Sequence, residues 1–295
     1  MNSTLNKFYN EEILLTGSSG YIGNQLKIFL NKNNISTKCS VGDLSNKEIW
    51  RKNLDQKIDT IFHLAATEGK NKDISMNSNS VLSLLEVCVE KNIKPKIIYA
   101  SSTNVFGLTN KRVVNENTKS SPLSEYSTQK FLGENYLKQF NIKYDIPSIT
   151  LRLPNVYGPS SMKKNFNKSV INRVIRESLK KKDLKLFNNR NCFRDFLYID
   201  DVVNAFYLCG ILDNKYFNAN SYLFSSNEKT TINDIWRIIL RKTNNKNLII
   251  DDKYILSPME YRDFNVDSSK YRKLTSWRNL VKIDKGIKLT IDYLT

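Results

Sequence analysis

Thr16-Gly17-Ser18-Ser19-Gly20-Tyr21-Ile22-Gly23 stands between a short apolar run, Ile13-Leu14-Leu15, and a segment with helical spacing from Tyr21 to Leu30. Three of the chain's ten glycines fall in these eight residues. At a strand-to-helix junction each has a separate task. Gly17 permits the tight turn, Gly20 lets the backbone approach a pyrophosphate, and Gly23 lets helix and strand pack closely. The helix start then offers backbone N–H groups and the positive end of its dipole to phosphate oxygens. This predicts a dinucleotide-binding turn made by Gly17, Ser19, Gly20, Tyr21, Ile22 and Gly23.

Outward from the turn, apolar runs and helical patterns keep alternating. Ser36 to Val41 reads as a strand, a polar helix follows from about Ser45, and Asp59 to Ala66 is a third strand. Asn77 to Glu90 is a long helix, Lys96 to Ser101 and Ile146 to Arg152 are strands, and a helix from about Glu125 separates them. Alternation of this kind gives a parallel sheet covered on both faces, and right-handed crossovers make it doubly wound. The fold class is therefore α/β, Rossmann-type. Residues 1–160 form the dinucleotide-binding domain. After about Tyr157 the rhythm loosens around isolated strands such as Leu184 to Phe187. Residues 161–295 are expected to form mostly a smaller C-terminal substrate-binding lobe, packed on the sheet's carboxyl edge, with some elements returning to the main sheet. Gly107 to Ser124 is the longest loop, and a loop of that length is more often functional than ornamental.

The 295 residues carry 46 Lys plus Arg against 29 Asp plus Glu, a formal charge of +17, which makes nucleic acid the obvious partner to test. The densest basic stretch, Lys163 to Lys185, also reads as a helix with Val170, Ile171, Val174, Ile175 and Leu179 inward. No zinc finger, basic zipper or aromatic-interleaved basic motif accompanies it, so the charge is assigned to solvated surface and no nucleic-acid partner is expected. No run approaches the roughly 18 apolar residues of a membrane span. MNSTLNKFYN lacks a basic start followed by an apolar run, which argues against a secretory signal. Cys39, Cys88, Cys192 and Cys209 lie far apart and read as reduced thiols of a cytoplasmic protein. With one histidine, His63, neither a multi-histidine metal centre nor a histidine dyad is available, and no metal is expected. His63 closes an apolar strand, where a histidine usually packs and hydrogen-bonds.

Proton-handling chemistry falls to another pair. Tyr126-Ser-Thr-Gln-Lys130 lies on a predicted helix, and i, i+4 side chains share a face. A phenol titrates near ~10, and an ammonium beside it favours the ionised form, so Tyr126 is a candidate general base. Such a spacing alone is common on solvated helices. Here it follows Ser101-Ser102-Thr-Asn-Val-Phe-Gly107, which sets hydroxyls at the carboxyl end of a strand, the edge where open parallel sheets bind ligands.

Taken together, these motifs resemble the extended short-chain dehydrogenase/reductase family, the nucleotide-sugar epimerases, dehydratases and ketoreductases. The likeness spans nearly the whole chain. His63-Leu-Ala-Ala66 is similar to the family's strand end beside the cofactor, and Asn77 to an Asn opening a helix. Leu151-Arg-Leu-Pro-Asn-Val-Tyr-Gly-Pro159 resembles its sixth-strand signature and Arg194-Asp-Phe-Leu-Tyr-Ile-Asp-Asp201 its substrate-lobe signature. Arg262 to Trp277, with Asn265-Val-Asp-Ser-Ser-Lys270, resembles its tail. The resemblance implies Ser102, Tyr126 and Lys130 as the catalytic set, with Lys130 also on the nicotinamide ribose. It implies Leu64, Ala65, Ala66, Asn77 and Pro154 beside the cofactor, and Asp43 with Leu44 near the adenine. Thr103, Asn155, Arg194 and Arg262 would bind substrate, the last three at a nucleotide diphosphate; Arg forks suit phosphate oxygens.

The implied reaction is hydride transfer between a sugar carbon, C4, and nicotinamide, with Tyr126 handling the hydroxyl proton. The family's dehydratases place an Asp-Glu pair after the catalytic hydroxyl, where this chain has Thr103 and Asn104, so dehydration is disfavoured. A 4-epimerase leads, with a 4-ketoreductase second and a non-catalytic NAD(P)-binding scaffold third; nucleotide-sugar metabolism and polysaccharide biosynthesis are the setting. NAD and NADP both stay open. Asp43, 20 residues after Gly23, reads as ending the following strand, and Lys38 or Ser40 would then face the ribose. The Asn77 to Glu90 helix is apolar around more than one face, which predicts a homodimer.

Overall fold

The structure, a computed structural model, describes residues 8, 11–67, 73–162, 166 and 169–295. Lys163, Lys164 and Lys168 of the basic stretch lie outside the described residues, as does most of the N-terminal decapeptide. The chain runs through β1 (Glu12–Thr16), α1 (Tyr21–Lys32), β2 (Thr37–Ser40), α2 (Lys47–Asn53) and β3 (Ile58–His63). It continues through α3 (Met76–Glu90), β4 (Lys96–Ser102), β5 (Val113–Val114), α4 (Glu125–Tyr144), β6 (Ser148–Leu153) and β7 (Asn155–Tyr157). Then come α5 (Val170–Leu179), β8 (Leu184–Phe187), β9 (Phe196–Tyr198), α6 (Ile199–Gly210), β10 (Asn218–Leu223) and α7 (Ile232–Lys242). The last elements are β11 (Leu248–Asp251), β12 (Asn265–Val266), α8 (Ser269–Thr275) and α9 (Ile283–Asp292).

Two compact units result. The first comprises Met1–Val105, Pro122–Leu153 and Val203–Tyr222; the second comprises Phe106–Ser121, Pro154–Val202 and Leu223–Thr295.

In the first unit, six strands form one sheet in the order β10-β6-β4-β3-β1-β2, with β2, β1, β3, β4 and β6 pairing in parallel. Its middle strands are buried on both faces, and so read as unbroken apolar runs: Ile97, Ile98, Tyr99 and Ala100 on β4 are all inaccessible or nearly so. One face packs Ile61, Ile97 and Tyr99 under Trp50 of α2, Leu84, Leu85 and Cys88 of α3, and Leu137 of α4. On the other, Phe62 meets Phe206 of α6 and Phe8, and Phe29 of α1 meets Tyr207. The expectation of a doubly wound α/β sheet holds.

The all-round apolar character of α3 has an internal explanation. It packs against both α2 and α4 as well as the sheet, so its second face is covered within the chain. The composition of this helix, which had pointed to a homodimer, does not require a second copy.

The second unit is built from short parallel pairs, β8 with β11, β7 with β9 and β5 with β12, and from α5, α7 and α9 packed together. Phe224, Tyr271 and Trp277 form an aromatic triangle. Trp277 Nε1 donates to Asp201 O over 2.9 Å, and the Asp201 carboxylate accepts from the Leu280 and Val281 amides. The segment read as a long loop carries β5, whose partner lies some 150 residues on, with Val113 against Asn265 and Val114 against Val266. Among the described residues, no helix is long and apolar enough to cross a membrane.

Candidate functional site

The glycine turn is a packed device. Gly17 has φ +70°, and a Cβ there would lie 2.7 Å from the Ala65 nitrogen, so only glycine lets the β1 exit pass the β3 exit. A Cβ on Gly23 would come within 2.2 Å of Gly17 O, the oxygen that also accepts from Gly20 N over 2.8 Å. Gly20 is the N-cap of α1. It brings no side-chain oxygen to the first turn, which holds no acidic residue either. A helix start with no side-chain cap and no carboxylate, reached over glycine backbone, fits the pyrophosphate of a dinucleotide. Ser19 is exposed at the tip, Ile22 half-buried and Tyr21 buried.

Thr16 and His63 tie this turn to the β3 exit. The Thr16 hydroxyl oxygen accepts from the Leu64 and Ala65 amides, both over 3.1 Å, so its own proton goes to His63 Nδ1 at 3.0 Å. His63 Nε2 then carries the ring proton and donates to Ser80 Oγ at 3.1 Å, which donates on to Asn77 O. Burial, and after it the charge of Lys130, pushes the His63 imidazole down to about 3, so it stays neutral. His63 packs and bridges, as expected for that position. Leu64, Ala65 and Ala66 continue from it with rising exposure.

Several cofactor assignments change character. Asn77 spends both ends of its amide on Thr67: Thr67 N donates to Oδ1 over 2.7 Å and Nδ2 donates to Thr67 O over 2.8 Å. It shapes the β3 exit rather than offering that amide outward. Asp43 ends no strand. β2 closes at Ser40, and Asp43 lies exposed in the connection to α2, its Oδ1 accepting from Ser45 N and Oγ. Leu44 is buried under Trp50, whose indole donates to Leu44 O. The Lys38 ammonium turns instead to the end of α2, donating to Asn53 O over 2.9 Å and lying 3.9 Å from Asp55. Ser40, opposite Thr16, is buried, and its Oγ meets no hydrogen-bond partner among the described residues.

β4 and α4 assemble the hydroxyl, phenol and ammonium. Ser102 is the last residue of β4, and its Oγ accepts from Asn104 N over 3.1 Å, which leaves the hydroxyl proton to be given elsewhere. Thr103 follows, buried, in a 3-10 turn from Thr103 to Phe106. A capping box between Ser124 and Ser127 starts α4 immediately before Tyr126, which is half-buried. One turn on, Lys130 is 1% exposed. Its ammonium donates to Ala100 O over 2.8 Å, and it lies 4.8 Å from the Tyr99 ring centre and 5.9 Å from that of Tyr126. Tyr99 in turn stacks on His63, with ring centres 5.8 Å apart at 19°.

In the second unit a cavity of about 700 Å³ is lined by Asn155, Phe187, Arg194, Tyr254, Glu260 and Arg262, among others. Arg194 is buried, and its guanidinium donates to the carbonyls of Phe193, Glu260 and Arg262. It therefore clasps the very segment that carries Arg262. Arg262 Nε donates to Met259 O over 3.0 Å, and its pKa is lowered to about 10, first by burial and then by the Arg194 charge. The buried Arg194 and half-buried Arg262 guanidiniums repel, and a diphosphate would relieve that repulsion. Asn155 is held through N and Nδ2 by Asp195 O. Pro154, buried, precedes it at the start of a stretch of this unit. Sequence reading passed over Phe187 and Tyr254, whose rings lie 4.7 Å apart at 33° on the cavity wall. Phe187 ends a strand that was legible; Tyr254 sits in a connection without any pattern.

A model of the NAD dependent epimerase/dehydratase family matches residues 13–215. The chain is 29% identical over 313 residues to a putative UDP-glucose 4-epimerase of Methanocaldococcus jannaschii, covering 96% of this chain and 98% of that one. Among solved structures, its fold is similar to UDP-glucose 4-epimerase of Thermotoga maritima with UDP-glucose, at TM-score 0.85 and 23% identity, over 96% of this chain and 98% of that one. It is similar as well to UDP-glucuronic acid 4-epimerase of Bacillus cereus in complex with UDP-glucuronic acid and NAD, at TM-score 0.79 and 25% identity, with the same coverage.

Proposed function

The chain belongs to the NAD dependent epimerase/dehydratase family, and from that premise we propose that it is a nucleotide-sugar 4-epimerase acting at C4 of a UDP-linked hexose. The observation that carries the reading is the Lys130 ammonium, buried against Ala100 O and lying over the Tyr126 ring at the strand that ends in Ser102. NAD, when bound, supplies the redox chemistry at C4, taking up and returning a hydride. The chain's own residues handle the rest. Ser102 donates its hydroxyl proton to O4 and holds it in place. Tyr126 takes the O4 proton as C4 is oxidised and returns it as C4 is reduced. Lys130 favours the ionised phenol, and the glycine turn holds the pyrophosphate of the dinucleotide. Arg262 and Arg194 hold the substrate's diphosphate, and the Phe187–Tyr254 pair offers the nucleobase an aromatic wall.

The names carried by the M. jannaschii relative and by the two neighbours support 4-epimerisation and UDP. Thr103 and Asn104 at the positions after Ser102 bring no carboxylate for dehydration. One observation favours a second reading, a nucleotide 4-keto-sugar reductase: β2 ends in Ser40 without an acid, so a 2′-phosphate would meet no carboxylate there.

The pocket assignment has its own test. At a concentration 100 times its Kd, UDP should stabilise the protein by about 2.7 kcal/mol in thermal unfolding. Arg262→Ala should lose most of that gain while NAD continues to stabilise. Equal UDP protection of both proteins would remove Arg262 from the diphosphate site.

A further inference from the structure

Beyond Tyr126 and Lys130, the same face of α4 carries Glu134, one turn further on, so the three stand at i, i+4 and i+8. A carboxylate four residues from a buried ammonium is within reach of it, and a pair between them would cancel the positive charge beside the phenol. Glu134 is committed elsewhere. Its side chain is 6% exposed and that of Arg152, on β6, is 7% exposed. Arg152 Nε donates to both carboxylate oxygens, over 3.1 and 3.2 Å, and Nη2 donates to Oε2 over 2.7 Å. Ser101 Oγ, next to Ser102, donates to Oε1, and Ser221 Oγ reaches Oε2 at 3.4 Å.

We propose that Arg152 is a positioning residue of this active site: by holding both oxygens of Glu134 it keeps that carboxylate off the Lys130 ammonium. The inference rests on Tyr126 being the proton-handling group. Of the groups around the two charges, Tyr99 interacts with both. Tyr99, whose ring lies under the Lys130 ammonium, has its hydroxyl held neutral by burial and then by the negative charge of Tyr126 and Glu134. His63 of β3 faces the same ammonium as a neutral ring. Lys96, at the other end of β4, pairs with Glu11. On α3, Cys88 is buried and neutral, while Glu86 and Glu90 are taken up by Lys47 and Arg51 of α2. Among the described residues, Glu134 is thus the carboxylate that would join Lys130 if Arg152 released it.

The test compares Arg152→Met with the double variant Arg152→Met/Glu134→Gln. Protein labelled with carbon-13 at tyrosine Cζ is titrated by NMR, the Tyr126 signal being the one lost in Tyr126→Phe, alongside the pH profile of turnover. In Arg152→Met the deprotonation of Tyr126 should move up by about one pH unit, with about tenfold less activity on the acidic limb. Restoring neutrality at position 134 should return both to the wild-type curve. Where Arg152→Met fails to fold, the comparison is read on Arg152→Lys, which keeps the charge but cannot fork both oxygens. A shift in the same direction, reversed by Glu134→Gln, sustains the proposal. A folded Arg152 variant titrating like wild type, or a double variant as shifted as the single, overturns it. If wild type turns over no nucleotide sugar, the proposed reaction fails, and the NMR titration still decides the role of Arg152.

Discussion

Tyr126→Phe should turn over a nucleotide sugar about 10²- to 10⁴-fold more slowly than wild type, the range a positioned general acid–base supplies. Its fold and its dinucleotide should be retained. The substitution removes one oxygen from a half-buried side chain at the second position of α4, and the helix start is fixed by Ser124 and Ser127 rather than by the phenol. The phenyl ring still offers its face to Lys130, and Lys130 keeps its bond to Ala100 O. A loss of turnover together with a loss of the nucleotide found by mass spectrometry of the purified protein would mean a structural defect. Unchanged turnover would remove Tyr126 from the mechanism altogether.

Gly23→Ala should destabilise the protein by about 1–3 kcal/mol, the usual cost of overpacking, and the purified protein should come without dinucleotide. The new methyl would stand 2.2 Å from Gly17 O and 2.8 Å from Gly17 C, both backbone atoms with no rotamer to yield. Relief requires α1 to move off the turn, which would also pull its amides away from the place proposed for the pyrophosphate. Gly20→Ala is the control. Its φ of −79° suits any residue, and its Cβ would meet Gly17 O at 3.0 Å, so a smaller loss of stability follows. Chemical denaturation with nucleotide quantified on the same samples checks the ranking, and a Gly20→Ala variant at least as damaged as Gly23→Ala would contradict it.

These two effects lie on features that were legible in the sequence, because each depends on chemistry confined to a few residues. The glycine turn is a local steric requirement, and the buried parallel strands announce themselves as continuous apolar runs; β8 was delimited to the residue. Features decided by tertiary neighbours were not legible. The direction taken by Lys38 depends on the end of α2, where Asn53 O waits for it. The two apolar faces of α3 were read correctly as needing cover, but sequence alone does not say that α2 and α4 supply it. The two residues of β5 are too few to show a period, and their partner is far along the chain. Arg194 was recognisable as a phosphate-binding type of residue, whereas its clasp on the carbonyls around Arg262 uses backbone acceptors that no side-chain pattern encodes.

Incubating the purified protein with UDP-glucose or UDP-glucuronate, with no added cofactor, tests the proposed reaction most directly. The predicted result is formation of the C4 epimer, followed by NMR until an equilibrium mixture is reached. No interconversion, together with NADPH oxidation when a 4-keto-sugar nucleotide is supplied, would contradict it and assign the Ser102, Tyr126 and Lys130 set to a reductase.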